Sequence, residues 1–356
     1  MRFPPITIAR LRAQPLLVQK TSMSVMSVRM KSSVPLLITP EEYKKLPKAT
    51  TVPLDVSWHM PNSPRSALAE YLSGPRLPHA RRWNLDEVAE LDVDKNPLSL
   101  THMLPSKEKF REACEKHGIS DDSHVVCYDT VGVFSSPRAV YTFKALGHDK
   151  VSALDGGLPR WIAEGGETEI GESADFGEGE YKGKEPLDGV VRSYEQVVSN
   201  SEKPLDDGNA EIVLDLRSRA RYDGTAPEPR PGLSSGHIPN SLPAPFSDYL
   251  EPPSDTKPYS HYKSLPELKT VLVDAVGGEE RWHEIEQGHR GVVFSCGSGM
   301  TAAIGWLAEE LIKDAEGWKG PSAIYDESWT GYASRQESKI VKGDKVVKGG
   351  VNPNSS

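Results

Sequence analysis

Three cysteines in 356 residues, at positions 114, 127 and 296, are too few and too far apart for a disulfide framework or a zinc-ligand cluster. A reducing compartment suits them. No apolar run approaches the roughly 20 residues needed to cross a bilayer, so no membrane partner is expected. The net charge of −9 argues against direct nucleic-acid binding through overall basicity. Acidic residues are also missing locally: the first is Glu41, while residues 1–33 carry Arg2, Arg10, Arg12, Lys20, Arg29 and Lys31. An Arg- and Ser/Thr-rich, acid-free N-terminus has the composition of a mitochondrial transit peptide. A disordered basic tail is the alternative, because Pro4, Pro5 and Pro15 weaken an amphipathic helix there. Mitochondrial localisation is therefore expected; starts at Met23, Met26 or Met30 would add a cytoplasmic form.

What the chain does contain is a unit written twice. Val52-Pro-Leu-Asp55 is matched by Ile212-Val-Leu-Asp215, each a short apolar strand running into a polar loop. Ser123–Asp129 corresponds to Gly291–Cys296, and Val151–Gly157 to Ala323–Trp329. Behind the middle pair, Ala139–Leu146 and Ala302–Ile312 place apolar residues at helical spacing. Buried strands alternating with helices indicate an α/β fold of two tandem domains, each a mainly parallel sheet flanked by helices. The expected division is a tail or transit peptide over 1–33, a first domain over 34–165, a Gly-rich linker over 166–192, a second domain over 193–337 and a poorly ordered tail over 338–356.

The chemistry concentrates at Ser295-Cys296-Gly297-Ser298-Gly299-Met300-Thr301. The strand Val292–Phe294 delivers Cys296 to its carboxyl end, where parallel sheets commonly build their sites. Gly297 and Gly299 permit a tight turn, and a helix follows near Met300–Thr301. Unpaired N–H groups at such a helix start favour a thiolate, the nucleophilic form of cysteine, and would equally hold a persulfide anion. Cys114 and Cys127 fall within helical and strand patterns and are expected to be structural.

These residues and several longer segments resemble the tandem-domain rhodaneses, specifically 3-mercaptopyruvate and thiosulfate sulfurtransferases. The matching segments include Asp55-Val-Ser-Trp58, His102-Met-Leu-Pro105, Phe134-Ser-Ser-Pro-Arg138, Leu154-Asp-Gly-Gly157, Arg221–Arg230, Ser235–Pro239 and Cys296–Thr301. The resemblance covers residues 34–337 and implies a sulfurtransferase that carries sulfane sulfur as a persulfide on Cys296. It implies that only the second domain is catalytic, and the first-domain counterpart of Cys296 is indeed Asp129, which cannot form a persulfide.

The related thiosulfate enzymes carry basic residues after the cysteine, to suit a doubly charged donor. Here Gly297 and Ser298 stand there, which favours the monoanion 3-mercaptopyruvate over thiosulfate. Ser298 either joins catalysis as a hydroxyl relay or caps the following helix. Arg221 and Arg230 match the family's α-keto-acid clamp, and Gly297, Gly299, Met300 and Thr301 are the expected substrate-binding backbone. Arg217 matches a further arginine near the site. Phe134 matches an aromatic that lines the pocket, with core packing as its alternative. No metal or organic cofactor is implied. The acceptor would be a small thiol, cyanide, or a thioredoxin-like or sulfur-relay protein; a carrier role in tRNA thiolation is an alternative function.

One departure concerns proton transfer. Where the family's first domain commonly has a histidine before Ile-Pro-Gly, this chain has Arg76-Leu77-Pro78-His79, so the family's proposed Ser–His–carboxylate relay lacks its histidine at that position. Either Arg76 or His79 replaces it, or the relay is dispensable. His237 keeps the second-domain motif and is expected to anchor a turn. A cysteine phosphatase is disfavoured because Ala302 occupies the position of its phosphate-clamping arginine. A non-catalytic scaffold remains a separate class, and it would tolerate the loss of Cys296.

Overall fold

A computed structural model describes residues 34–171 and 176–351; the basic N-terminal segment lies outside the described residues. The two sequence units fold into two five-stranded, wholly parallel sheets. In the first, strands β1 (Leu37–Ile38), β2 (Thr51–Asp55), β3 (Arg81–Arg82), β4 (His124–Tyr128) and β5 (Val151–Leu154) lie in the order β1-β5-β4-β2-β3. In the second, β6 (Val191–Arg192), β7 (Ile212–Asp215), β8 (Leu242–Pro243), β11 (Val292–Ser295) and β12 (Ser322–Tyr325) lie in the order β6-β12-β11-β7-β8. Strands β9 (Leu250–Glu251) and β10 (His261–Tyr262) form a separate hairpin. The two orders superimpose strand for strand, which is the internal repeat expressed in space.

β4 and β11 occupy equivalent central places, flanked on both sides by parallel neighbours. That position explains their continuous apolar runs, since every residue of each is buried. Asp129 and Cys296 directly follow their last residues, and each loop leads into a helix, Ser136–Ala145 or Ala302–Glu316. These two helices pack against each other across the domain boundary, with the Tyr141 and Trp306 rings edge to face at 5.1 Å. One apolar core therefore runs from Leu54 and Phe143 of the first sheet layer to Leu214 and Phe294 of the second. The Cys296 loop is thus mounted where both domains meet.

The chain between the sheets is packed against the first domain rather than loosely strung. Tyr181 is buried, Leu187 N–H donates to Ala145 O (2.8 Å), and Arg76 exchanges backbone hydrogen bonds with Glu169. Residues after Ser338 also differ from the poorly ordered tail expected from sequence. Strands β13 (Lys339–Lys342) and β14 (Lys345–Lys348) form an antiparallel hairpin, and Val341 bridges to His237 of the second domain. Its one fully buried side chain, Ile340, packs among Val213, Val293, Trp329 and Tyr332. The lysines masked this pattern: only one residue of the ten turns fully inward.

Helix Ala302–Glu316 carries a buried ionisable group directly behind the site loop. Glu309 is fully buried with Lys313 Nζ at 3.2 Å, and Lys313 is shared with Glu310 at 2.8 Å. Burial pushes the Glu309 carboxyl up to about 7. Between its unfolded value of 4.5 and 7, the folded protein holds a proton that the unfolded chain has released. Stability therefore falls as pH rises through that window. Glu309→Gln is expected to raise the urea midpoint of unfolding at pH 8 by the equivalent of about 2–3 kcal/mol relative to its effect at pH 5. Equal effects at both pH values would contradict this account.

Candidate active site

Cys296 follows the last residue of β11 and is 2% exposed, so the sulfur lies at the floor of its loop rather than on the surface. Both neighbouring peptides are tied from outside by the segment Ser328–Thr330. Cys296 N–H donates to Ser328 Oγ (3.1 Å), Cys296 O accepts from Trp329 N–H (2.9 Å), and Gly297 O accepts from Thr330 N–H (3.0 Å) and Thr330 Oγ1 (2.6 Å). Ser328 takes a left-handed φ of 51° to reach this position, an unusual backbone for a side-chain-bearing residue. With those carbonyls drawn outward, the amides of Gly297, Ser298, Gly299, Met300 and Thr301 have no acceptor among the described residues.

The first domain shows what such a loop is built to hold. Asp129, the counterpart of Cys296, accepts hydrogen bonds from the amides of Val131, Gly132, Phe134, Ser135 and Ser136 at 2.9–3.0 Å. Five backbone donors around one carboxylate form an anion nest. In the first domain the nest is filled by the chain's own carboxylate; in the second it surrounds the sulfur's position. The other thiols contrast sharply: Cys114 and Cys127 are fully buried in the core, and burial pushes both well above the ordinary thiol range.

Two arginines stand over the loop from one side. A Cβ built on Gly297 would lie 3.2 Å from Arg221 Nη2 and 3.8 Å from Arg230 Nη1, so any side chain at 297 would crowd them. Arg221 is gripped by Glu228, with Nη2 at 2.5 Å and Nε at 3.2 Å from its carboxylate. Arg230 has no carboxylate within ion-pair distance among the described residues and donates only to Thr101 Oγ1 (3.2 Å) of the first domain. Burial lowers its pKa, followed by repulsion from Arg221, while the nearby Cys296 works in the opposite sense.

From the first domain comes a chain of side-chain contacts that sequence reading missed. Ser298 Oγ is 3.1 Å from His102 Nδ1, and His102 Nε2 is 2.9 Å from Asp86 Oδ1. Asp86 also accepts from Trp58 Nε1 (3.0 Å), and the Trp58 ring meets the imidazole edge to face at 4.8 Å. Burial alone would push the Asp86 carboxyl up, yet the His102 and Trp58 contacts bring it below its ordinary value. A carboxylate at Nε2 sets that nitrogen as donor and leaves Nδ1 to accept the Ser298 proton. Ser298 Oγ is therefore engaged by His102, and the helix starts after Thr301 without a side-chain capping bond.

A family model described as Rhodanese-like domain matches residues 39–164 and 198–335. The chain belongs to the tandem-domain rhodanese family of sulfurtransferases. Among its relatives, the probable 3-mercaptopyruvate sulfurtransferase of Schizosaccharomyces pombe is 35% identical over 285 residues, covering 80% of this chain and 87% of that protein. The human 3-mercaptopyruvate sulfurtransferase is 31% identical over 295 residues, covering 81% and 86%. The crystal structure of Tum1 from Saccharomyces cerevisiae aligns with a TM-score of 0.71 at 28% identity, covering 88% of this rhodanese and all of that chain.

Several expected site residues fall elsewhere in this rhodanese. Arg217 does not face the loop: its side chain is fully buried between Asp215 (2.5 Å) and Glu228 (2.8 Å) and lies 4.1 Å over the Trp329 ring. Both carboxylates consume its charge, so it orients Glu228, which in turn holds Arg221. Phe134 is half-buried between Trp58 (6.3 Å) and Phe246 (5.8 Å), joining the relay's aromatic wall to the second domain. Met300 is buried and Thr301 half-buried at the loop's far end. Neither proposed substitute for the relay histidine serves the rhodanese site. Arg76 is buried and pins residues 169–171, through Glu169 Oε1 (3.1 Å) and Gly171 O (2.6 Å), while His79 is exposed. The histidine sits in His102-Met-Leu-Pro105, a segment whose resemblance was visible but whose role was not. His237 stacks on Tyr222 at 3.8 Å and bonds its carbonyl, holding a turn.

Proposed function

We propose that this protein transfers sulfane sulfur from 3-mercaptopyruvate to an acceptor through a persulfide on Cys296. The observation that carries this reading is a cationic rim over an uncharged loop. Arg221 and Arg230 meet at Gly297, while Gly297 and Ser298 add no positive charge beside the sulfur. That arrangement suits a single carboxylate at the rim and a neutral thiol below it.

Cys296 gives its proton to Ser298 Oγ as His102 Nδ1 takes the Ser298 proton, with Asp86 steadying the imidazolium. The thiolate attacks the donor sulfur; the S–S bond forms as the C–S bond breaks and pyruvate leaves as its enolate. The relay returns its proton to the enolate methylene carbon, giving pyruvate and Cys296 persulfide. The persulfide keeps the donor's thiol proton and releases it to solvent, and the loop amides, left free by the outward ties of the Cys296 and Gly297 carbonyls, hold the resulting anion. A small thiol, cyanide or a thioredoxin-like protein then removes the outer sulfur, which predicts ping-pong kinetics.

Mitochondrial residence accompanies this reading. It is supported by the acid-free N-terminus and by a relative from Arabidopsis thaliana named as a mitochondrial thiosulfate/3-mercaptopyruvate sulfurtransferase, 33% identical over 306 residues. A protein acceptor is supported by a structural neighbour described as the yeast mitochondrial complex I sub-stoichiometric sulfur transferase subunit (32% identity, TM-score 0.71). Donor choice is tested by steady-state kinetics with cyanide as acceptor. 3-Mercaptopyruvate is expected to exceed thiosulfate in kcat/KM by on the order of 100-fold, about 2.7 kcal/mol of differential transition-state binding. A preference for thiosulfate would overturn the assignment.

A further inference from the structure

Arg138 has no part in the scheme above, yet its guanidinium is buried where the two domains share the site. It projects from the start of helix Ser136–Ala145 in the first domain and is 1% exposed. Its Nη1 lies 2.7 Å from Asp326 Oδ1 and donates to Gly299 O (3.2 Å), both in the second domain. Its Nη2 donates to the carbonyl of His102. Asp326 Oδ2 in turn accepts from Leu104 N–H (2.6 Å), two residues past the relay histidine.

Each partner is a strained or shaped part of the site. His102 adopts a left-handed φ of 67°, which a histidine keeps only when its surroundings hold it there. Gly299 has φ +78°, and a Cβ there would meet Arg138 Nη1 at 2.9 Å, so a side chain would push this guanidinium away. A planar trans peptide directs its C=O and N–H oppositely. Holding Gly299 C=O on Arg138 therefore turns the Met300 N–H to the other side of the loop.

We propose that Arg138 is a positioning residue that keeps the His102 imidazole and the Cys296 loop in register across the domain boundary. One rigid fork donates to two carbonyls and faces one carboxylate as a charge pair; an ammonium at this site keeps the charge pair with Asp326 but cannot span all three. This rests on the sulfurtransferase reading only where turnover is the readout.

The test uses the full-length protein carrying Arg138→Lys, with Arg138→Gln as a second variant and thermal unfolding as the control for folding. With 3-mercaptopyruvate as donor, Arg138→Lys is expected to lower kcat on the order of 10–100-fold while KM changes less than about threefold. Combined with His102→Ala it should add little, because both substitutions disable the same relay. A wild-type kcat in a folded Arg138→Lys protein, or losses that simply multiply with those of His102→Ala, would overturn the proposal. A donor-independent readout separates this from failure of the function itself: the pH dependence of Cys296 alkylation by iodoacetamide. Loss of the Gly299 anchor should move its midpoint upward by about half a unit or more. An unchanged midpoint refutes the positioning role, whether or not mercaptopyruvate is turned over. Should Arg138→Lys fail to fold, the same midpoint and kcat criteria apply to Arg138→Gln, and failure of both to fold would show a structural role and overturn the proposal.

Discussion

Cys296→Ser is expected to take up no sulfur: after incubation with 3-mercaptopyruvate, intact mass should show one added sulfur atom on the wild type, localised to Cys296, and none on the variant. Turnover should fall by at least about 10⁴-fold, since the serine hydroxyl is not ionised by these loop amides and the covalent route closes. The variant should nevertheless fold. Ser and Cys are near in size, and the ties that shape the loop run through backbone N–H and C=O groups of residues 296 and 297, which serine retains. A Cys296→Ser protein that still transfers sulfur would remove the persulfide from the mechanism. The other two cysteines offer no substitute nucleophile, since burial pushes both thiols up and neither borders the loop.

The second large effect is expected at Arg230. Arg221 and Arg230 look equivalent in sequence, but Glu228 neutralises much of the first, whereas no carboxylate lies within ion-pair distance of the second among the described residues. Arg230 already carries the cost of burial, so a substrate carboxylate that pairs with it gains more than one meeting a neutralised cation. Arg230→Gln should lower kcat/KM for 3-mercaptopyruvate by about 10–100-fold, the equivalent of 1.5–3 kcal/mol for a charge-assisted contact, with most of the loss in KM. Arg221→Gln should cost less. The thermal midpoint should barely move for Arg230→Gln, because no ion pair is broken, and should fall for Arg221→Gln, which removes one of the two cations on the buried Glu228 carboxylate and leaves only Arg217. Steady-state kinetics on the two variants checks the order; a larger kinetic defect at Arg221 would reverse the assignment of the principal anion contact.

The legibility of these residues follows from the distances over which they act. β4 and β11, the helices behind them and the Asp129–Cys296 correspondence were readable because strand, turn and helix lie within about 20 contiguous residues and impose their own periodicity. The arginines were half readable. Arg217, Arg221 and Arg230 share the one segment that follows β7, and sequence spacing does not say which faces the sulfur. That depends on Glu228, which is fully buried beside Arg217 and takes Arg221 as its second partner. Hairpin Lys339–Lys348 was not readable because its hold on the domain rests on one apolar side chain and a backbone bridge to His237.

The sequence by itself determined the doubled α/β fold, the cysteine proposed as nucleophile, its Gly-Ser-Gly turn and the carboxylate at the matching place in the first domain, since each is written in local order. Only the tertiary structure brought together the groups of the proposed proton relay. His102 and Ser298 are 196 positions apart, and Asp86 and Arg138 lie on separate segments of the first domain. No local pattern links them. They meet because the two sheets share one core and press helices Ser136–Ala145 and Ala302–Glu316 together, so that the first domain, having no cysteine in its own nest, completes the site of the second.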